Sequence, residues 1–361
     1  MRVLLIARRL VKTLSAPHYA IMLSKSLANL GCEVFILTSE SQALIEWARV
    51  LDICKFFAKR RIAPIFYTFS AKYFKVKYGI QIVHGHGYTF MDDVTTVHFM
   101  RKAFAKCVTE LGYSISFRKS EIFFEELILK SSKHLIAPSN MGKECLVRFY
   151  GINQEKISVI YNGVDIDRFK PPSSKEKMEA RERLGLEDDI IYVGFVGPPK
   201  WKGFEYLLHA MAKLKNDVRV IAVNTKDKEY RKLIQELGLK QRVKCLPLFG
   251  NMPLFYKAID IFVLPSIFDT FPLSTLEAMA SGLPVIISNN TGSSEIVKDG
   301  RNGFIWKIGD LDKLAELIEY LAQNDKLRKD MGFNARRTAM NFSWNNIAEK
   351  VLDVYEWLLK R

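Results

Sequence analysis

A chain of 361 residues with 48% hydrophobic and 26% charged residues is long enough for two globular domains and too rich in apolar residues to be disordered. No stretch approaches the roughly 18 consecutive apolar residues of a membrane span, and the opening MRVLLIARRL is too short and too basic for a signal peptide, so we expect a cytoplasmic protein. The five cysteines are scattered and never spaced as CxxC, which argues against a disulfide framework and a zinc site.

The net charge of +15 is unevenly distributed. Residues 1–170 carry 25 Lys and Arg against 14 Asp and Glu, whereas the remainder carries 29 against 25. Such an excess favours an anionic partner: phosphate groups, nucleic acid or an acidic membrane surface. Residues 55–78 contain seven basic and eight aromatic residues and no acid, so this segment is either an ordinary solvated helix with a buried strand or a docking surface for anionic lipid headgroups.

The first half alternates predicted strands with predicted helices. RVLLIA is typical of a buried parallel strand, YAIMLSKSLANLG has helical spacing and a glycine stop, and EVFILTS predicts the next strand. This is the size of a parallel strand-helix-strand unit. Further apolar runs follow in IQIVHGH, VTTVHF, HLIAPS and ISVIYNGV.

The pattern breaks at KPPSSKEKMEARERLGLEDD and then restarts, so we predict a linker over residues 165–190. The later predicted strands are IIYVGFVG, VRVIAV, VKCLPL, DIFVLPS and LPVIIS. Strands that alternate with helices in both halves predict two doubly wound α/β domains. Ligands in such sheets bind outside the carboxyl ends of the strands, so the strand-to-helix turns are the candidate sites.

One such turn is SIFDTFPLSTLEAMASGLPVIIS, between the strand DIFVLPS and a predicted helix. Ser274 and Glu277 have the spacing of a capping box, which would only satisfy amides of the first helical turn. Alternatively, the helix N-terminus faces an anion while Glu277 binds a hydroxyl pair such as that of a ribose. Asp269 would then reach hydroxyls of a second polar group.

A second turn is GFVGPPKWKGFEYLL, where the strand ends at Gly197 and two lysines precede the next helix. Lys200 and Lys202 in a strand-to-helix loop fit a phosphate site by charge, although loop lysines are commonly only solvated. The chain contains no GxxxxGK[ST] motif, and no GxGxxG follows the first strand, so neither a P-loop nor a dinucleotide fingerprint is present.

Three histidines lie near strand ends in the first half. His84 and His86 would share one strand face, but no neighbouring Asp, Glu or Cys completes a set of metal ligands, so we expect no metal. His98 at the end of VTTVHF is either packed or catalytic.

The stretch SIFDTFPLSTLEAMASGLPVIISNNTGSSEIVKDGRNGFIW resembles the signature region of the retaining, nucleotide-sugar-dependent glycosyltransferases of family 4, also called group 1, which have the GT-B fold. Matches in the same order are IVHGHG, ISVIYNGVDIDRFKP, KGFEYLLHAM and LRKDMGFNARRTAMNFSWNNIAEKVLDVYE. The resemblance covers nearly the whole chain.

The resemblance implies two Rossmann-like domains that face each other across a cleft. We assign residues 1–170 to an acceptor-side domain, residues 171–344 to a nucleotide-sugar-binding domain, and residues 345–361 to a helix that crosses back to the first domain. The implied reaction transfers a hexose from a UDP- or GDP-sugar to a hydroxyl acceptor with retention, without a metal or other cofactor. Glycan and lipid-linked acceptors both remain open, and the latter would suit an enzyme peripheral to the inner membrane face.

The resemblance also implies residue roles. The catalytic residues would be His98, Lys202 and Asp269, with Lys202 neutralising the leaving diphosphate. The backbone amides of Phe271 to Leu273 would face sugar and diphosphate, and Glu277 would bind the ribose. The implied donor-binding residues are Gly197, Lys200, Lys202, Asp269, Phe271, Pro272, Leu273, Ser274 and Glu277. The implied acceptor-side residues are Ser15, His18 and Tyr19.

The chain departs from the family pattern at three places: Asp269 stands where Glu is usual, Pro198 and Pro199 where an Arg is usual, and Leu14 and Ser15 where two glycines are usual. These departures support an alternative, a binding protein that keeps the fold and has lost turnover. A nucleic-acid-binding protein has only the basic charge in its favour, because no helix-turn-helix, RNA-recognition or zinc-finger pattern occurs.

Overall fold

The structure is a computed structural model that describes residues 1–10, 15–41, 45–53, 63–198, 200–225 and 227–361. The chain forms two compact units. The first comprises Met1–Gly163 and Trp344–Arg361, and the second comprises Val164–Ser343. Among the described residues, no helix is both long and apolar enough to span a bilayer.

The first unit is built on a parallel sheet of seven strands in the order β3-β2-β1-β4-β5-β6-β7. The strands are β1 (Arg2–Ile6), β2 (Glu33–Thr38), β3 (Arg49–Asp52), β4 (Ile82–Gly85), β5 (Val94–Thr96), β6 (His134–Ala137) and β7 (Ile157–Val159). The helices are α1 (Ser15–Asn29), α2 (Ala63–Tyr78), α3 (Arg101–Glu110), α4 (Lys119–Ser131), α5 (Asn140–Tyr150) and α13 (Trp344–Leu359). The central strands are buried on both faces, as expected for a parallel sheet covered by helices.

The second unit repeats the plan with six parallel strands in the order β10-β9-β8-β11-β12-β13. The strands are β8 (Ile191–Val196), β9 (Val218–Val223), β10 (Val243–Leu246), β11 (Ile261–Leu264), β12 (Val285–Ser288) and β13 (Gly303–Trp306). The helices are α6 (Ser174–Leu184), α7 (Phe204–Ala212), α8 (Asp227–Glu236), α9 (Met252–Ala258), α10 (Leu273–Ala280), α11 (Leu311–Gln323) and α12 (Asp325–Ala339). Short 3-10 helices occur at Gln154–Lys156, Gly292–Ile296 and Met340–Phe342.

The prediction of two doubly wound α/β domains is confirmed by these two sheets. In each sheet the strand order reverses once, between β1 and β4 and between β8 and β11. Such a switch point leaves a crevice at the carboxyl ends of the two central strands, where open α/β sheets bind ligands. The turns that follow these four strands are therefore the candidate ligand-binding sites.

The linker predicted over residues 165–190 is wrong in part, because it contains helix α6. Ser173 caps this helix by accepting a hydrogen bond from the Glu176 N–H, and Glu176 accepts one from the Ser173 N–H in return. Gly185 ends the helix in the left-handed conformation. A capping box and a C-terminal glycine were therefore present within the charged stretch that interrupts the hydrophobic pattern.

The unit boundary lies at Gly163, before the predicted boundary at residue 170. The reason is Arg336 on α12, whose guanidinium donates to the carbonyls of Ile166 (3.0 Å) and Phe169 (2.7 Å). The same guanidinium donates to the carbonyl of Ala280 at 2.8 Å. These bonds fix the segment after residue 163 to the second unit.

The terminal helix α13 belongs to the first unit and packs against α1. Trp344 lies so close to Gly163 that a Cβ at that glycine would come within 2.6 Å of the indole ring. Further along the helix, the buried Tyr355 places its hydroxyl 2.5 Å from Nδ1 of His84. This terminal helix thus completes the core around His84.

Asp260, at the amino end of β11, joins neighbouring elements at the end of the second sheet that lies opposite the carboxyl ends of its strands. Its carboxylate accepts from Lys177 (2.5 Å), from Arg181 (2.7 Å) and from the Tyr192 N–H (2.7 Å). The Arg181 side chain is only 5% exposed, so its buried positive charge is stabilised by the Asp260 carboxylate.

We expect Asp260→Asn to lower the free energy of unfolding by about 3 kcal/mol or more, because removing one partner leaves a buried cation uncompensated. Urea denaturation followed by circular dichroism measures the change. The matched control is Asp312→Asn, whose carboxylate pairs with Lys213 but is 87% exposed. An exposed pair contributes less than about 1 kcal/mol, so equal losses in the two variants would contradict the account.

Candidate functional site

The turns after β8 and β11 meet at the switch point of the second sheet. Gly203, before α7, has φ +74°, and a Cβ there would lie 1.9 Å from the Pro265 carbonyl oxygen. The Ile267 N–H also donates to the Trp201 carbonyl at 3.0 Å. The two turns are therefore in direct backbone contact, which fixes the side chains that they carry.

Lys202 and Asp269, which were predicted as site residues on two separate turns, form an ion pair. Gly197 makes room for it, because a Cβ on this residue, which has φ +137°, would approach Cγ of Lys202 to 2.7 Å. The lysine side chain thus passes over the glycine to reach the carboxylate. Both side chains are less than one fifth exposed, at 19% and 18%, so the attraction between them is screened less than that of a surface pair.

The second carboxylate oxygen of Asp269 accepts from the Phe271 N–H at 3.1 Å. The backbone of Asp269 is held as well, since its N–H donates to Asn290 (3.2 Å) and its carbonyl accepts from Gly292 (2.9 Å). The position of this acidic residue is therefore fixed from three sides. The backbone amides of Phe271 to Leu273 were predicted to face sugar and diphosphate. Pro272 has no N–H and cannot donate a hydrogen bond. The Phe271 N–H already donates to Asp269.

Glu277 lies in the second turn of α10, and its Oε2 accepts from the Tyr256 hydroxyl at 2.8 Å. Burial raises the pKa of Glu277, while the Tyr256 hydrogen bond and the charge of Arg168 lower it. Burial, followed by the Glu277 charge, raises the pKa of Tyr256 well above its ordinary value, so the phenol is a donor. Sequence reasoning missed both partners, although Arg168 lies within the quoted motif ISVIYNGVDIDRFKP.

The predicted capping box of Ser274 and Glu277 is wrong. Helix α10 begins at Leu273, its N-cap is Pro272, and no side chain caps it. Ser274 is already the second helical residue, and Glu277 uses its carboxylate for Tyr256 rather than for the helix end. The backbone N–H groups at the start of the helix, beginning with Leu273 and Ser274, therefore donate no hydrogen bond to an N-cap side chain.

Lys200 lies apart from the Lys202–Asp269 pair. Its Nζ sits 4.8 Å from the centroid of the Trp201 ring, and the residue is exposed. Pro198 is exposed, and Pro199 lies outside the described residues. The structure thus brings Gly197, Lys202 and Asp269 together and leaves Lys200 on the surface.

In the first unit, the three predicted histidines form one cluster. His86 Nδ1 lies 3.1 Å from His98 Nε2, and the rings of His84 and His86 have centroids 4.8 Å apart. His84 is also bonded through Nε2 to the Thr96 hydroxyl at 2.7 Å. Within the described part of the chain, no group of three or more His, Cys, Asp or Glu residues could hold a metal ion.

Burial determines the protonation of this cluster. It lowers the pKa of His84 to about 3 and that of His98 to about 4, and it lowers the pKa of His86 well below its ordinary value. The charges of neighbouring histidines add to the effect at His84 and His86. All three imidazoles are therefore neutral near pH 7.

The residues predicted to lie on the acceptor side are on α1. Ser15 begins the helix, and neither its side chain nor the neighbouring Leu14 is among the described parts of the chain. His18 is half-buried, with its ring 6.5 Å from that of Trp344. Tyr19 is only 1% exposed, its ring lies 4.7 Å from that of His98, and burial raises its pKa to about 12.

Two family models match the chain. One is described as "Glycosyl transferases group 1" and matches residues 174–338, and the other is described as "Glycosyltransferase Family 4" and matches residues 16–168. Together they cover most of both units. The family resemblance inferred from the sequence motifs is confirmed by these matches.

Similar proteins agree with this result. The chain is 28% identical to an uncharacterized glycosyltransferase of Methanocaldococcus jannaschii over 92% of each chain. It is 31% identical to a D-inositol 3-phosphate glycosyltransferase of Xylanimonas cellulosilytica over 67% of this chain and 61% of the relative. The solved structure of Anabaena HepE in complex with UDP-glucose matches 99% of this chain and 100% of that chain, with a TM-score of 0.77 and 20% identity. This likeness supports the predicted two-domain fold.

We expect the histidine cluster to make the stability of the first unit depend on pH. The unfolded chain takes up protons near the ordinary pKa of 6.5, whereas the folded cluster resists them until about pH 4. Stability should therefore fall as the pH decreases from about 6.5 towards 4, partly offset by Asp92, whose pKa is raised to about 7 by burial. The free energy of unfolding, measured by urea titration at several pH values, tests this.

His84→Gln should reduce the pH dependence below pH 6.5, because one group that resists protonation is removed. The control is His209→Gln, on α7 of the second unit, which should leave the dependence unchanged. A pH dependence that is the same in wild type and His84→Gln would show that the cluster does not control acid stability.

Proposed function

Since the chain belongs to the group 1, family 4 glycosyltransferases, we propose that it transfers a hexose from a UDP- or GDP-sugar to a hydroxyl acceptor with retention of the anomeric configuration. The observation that carries this proposal is the Lys202–Asp269 ion pair at the β8/β11 switch point, beside the N-terminus of α10. A cation and a helix end in one crevice suit a diphosphate. The HepE structure with UDP-glucose makes that donor the first to test.

Lys202 and Asp269 contact different parts of the donor. When the diphosphate binds, its oxygens compete with Asp269 for the Lys202 ammonium. The Asp269 carboxylate, still held by the Phe271 N–H, is then available to accept hydrogen bonds from the sugar hydroxyls. The same fixed ion pair thus provides one group for the phosphate and one for the sugar.

Glu277 would bind the ribose. Its Oε2 is held by Tyr256, whereas Oε1 has no recorded hydrogen bond within the described part of the chain. One carboxylate oxygen is therefore fixed and the other is available for a pair of vicinal hydroxyls. Arg168 contributes positive charge that favours the ionised form of Glu277.

In the transfer step the bond between the anomeric carbon and the diphosphate oxygen breaks, and the acceptor oxygen bonds to the same face of that carbon. The proton of the acceptor hydroxyl passes to the leaving phosphate. Lys202 and the amides at the start of α10 stabilise the negative charge that develops on the diphosphate. The sugar becomes oxocarbenium-like, and the backbone carbonyl of His98 is proposed to stabilise its positive charge.

We expect Lys202→Ala to reduce kcat by about a hundredfold or more with UDP-glucose or the preferred donor, because a charge that acts on the leaving group is lost. Release of nucleoside diphosphate in the presence of acceptor extract measures the rate. Lys200→Ala is the matched control, since it removes a lysine from the same loop that contacts Trp201 and not Asp269. We expect it to change the rate by less than about threefold.

An unchanged rate in Lys202→Ala would exclude the assigned role of this lysine. Binding of nucleotide sugars to the wild-type protein with no release of nucleoside diphosphate would instead favour the alternative, a binding protein without turnover.

We also propose that the enzyme docks on an anionic lipid surface through α2. The exposed side chains of Ile65, Phe69, Tyr73 and Val76, which we call the α2 face, follow helical spacing, with exposures of 39%, 68%, 58% and 85%. Lys72 and Lys77 accompany them, whereas Lys75 is paired with Asp93 at 2.6 Å, and residues 55–78 contain no acidic residue. Aromatic side chains beside lysines suit the boundary between headgroups and acyl chains. Residues 55–62 of the predicted docking segment lie outside the described residues.

The double variant Phe69→Ser/Tyr73→Ser should bind phosphatidylglycerol vesicles at least about tenfold more weakly at low salt, because two large apolar side chains no longer enter the interface. Co-sedimentation measures the bound fraction. Phe333→Ser is the control, since Phe333 is 65% exposed but lies on α12 of the second unit. Equal vesicle binding by wild type and the double variant would exclude this surface.

A further inference from the structure

A cavity of about 420 Å³ lies in the first unit, and we propose that it binds an acceptor carrying an anionic group, a phosphate or a carboxylate, through the guanidinium of Arg8. This inference rests on the proposed glycosyl transfer and specifies the chemical class of its acceptor. The volume falls within the range of roughly 300–1,000 Å³ that is common for small-molecule sites.

The cavity is at the switch point of the first sheet. Arg8 follows β1 and His86 follows β4, and these two strands are neighbours on either side of the point where the strand order reverses. His98, after the next strand β5, also lines the cavity. Its place in the first sheet thus corresponds to that of the Lys202–Asp269 pair in the second.

Arg8 provides a cation that forms no ion pair with a carboxylate among the described residues. Its carbonyl accepts from the hydroxyls of Ser39 (2.8 Å) and Tyr67 (3.3 Å), which fixes its backbone. Its charge lowers the pKa of the Tyr67 hydroxyl against the larger effect of burial, so the guanidinium lies near that residue, which lines the cavity. No ion pair of Arg8 is recorded among the described residues, whereas the adjacent Arg9 pairs with Glu40 at 3.3 Å.

The two carboxylates in the cavity wall accept hydrogen bonds from other parts of the protein. Glu125 is only 8% exposed and forms an ion pair with Arg101, while also accepting from the Arg101 N–H (2.8 Å) and from the Tyr150 hydroxyl. Glu121 accepts from the Arg118 N–H at 3.2 Å, at the start of α4. Arg101 therefore balances the charge of Glu125, whereas the exposed Glu121 bonds to a backbone N–H, and Arg8 is a cation of the wall that forms no ion pair among the described residues.

The other walls supply a hydroxyl-binding group and flat apolar surfaces. His86 is only 6% exposed, and its Nε2 has no recorded hydrogen-bond partner, although a buried polar atom without one is costly. Ser120, which also lines the cavity, supplies a side-chain hydroxyl that can exchange a hydrogen bond with a ligand oxygen. Tyr67, Tyr88 and Phe124 add aromatic surface. The cavity thus suits a ring compound that carries both hydroxyl and anionic groups.

The first experiment measures binding of phenyl phosphate and of neutral benzyl alcohol by ligand-observed NMR, without any donor. Wild type should prefer phenyl phosphate, and Arg8→Gln should weaken phenyl phosphate binding by about tenfold or more while leaving benzyl alcohol binding unchanged. Arg9→Gln, the matched control, should bind both compounds like wild type. Arg8→Lys should retain part of the phosphate preference, which separates loss of charge from loss of fold.

Equal phenyl phosphate affinities for Arg8→Gln and Arg9→Gln, or no preference of wild type for the phosphate, would overturn the inference. The source of the anion is tested by competition, with glycerol 3-phosphate representing a soluble phosphate ester and dihexanoyl phosphatidic acid representing a lipid headgroup. Displacement of phenyl phosphate by either supports the inference and identifies the source, and displacement by neither contradicts it. Since this binding requires no turnover, its failure is distinguishable from failure of donor cleavage in the Lys202 experiment.

Discussion

The ion pair of Lys202 and Asp269 is the interaction on which the second unit's site depends. It joins two turns that are 67 residues apart in sequence and lie on either side of the point where the strand order reverses. It exists because Gly197 has no Cβ, which leaves room for the lysine side chain to cross the end of β8. Both charges are largely shielded from water, so each fixes the other, and the Phe271 amide fixes the carboxylate further. In the proposed reaction, a diphosphate replaces Asp269 at Lys202.

The two units repeat one strand order but supply different chemistry at its reversal. The second unit offers a balanced pair of charges and a helix end, which suit a nucleoside diphosphate. The first offers three histidines whose pKa values are lowered by burial, together with Arg8, which forms no ion pair within the described part of the chain. Neutral imidazoles with such low pKa values are weak bases. This agrees with the proposed reaction, in which the leaving phosphate takes the acceptor proton.

Much of the fold was predictable because buried parallel strands are continuous apolar runs. Eleven of the strands were recognised in this way, and β3 (RVLD) and β13 (GFIW) were missed. The linker was overestimated because the charged surface of α6 hides its helical character. Ser274 was misjudged as a cap because helix boundaries depend on backbone geometry that a three-residue spacing does not specify.

The sequence by itself determined the family, the alternation of strands and helices, and the turns that carry Lys202 and Asp269, because these are local patterns read along the chain. Only the tertiary structure decided that these two residues pair, that Tyr256 holds Glu277, and that Arg9 pairs with Glu40 while Arg8 has no such partner among the described residues. Such facts depend on which distant segments pack together and on how far each charge is removed from water. Local spacing contains neither quantity.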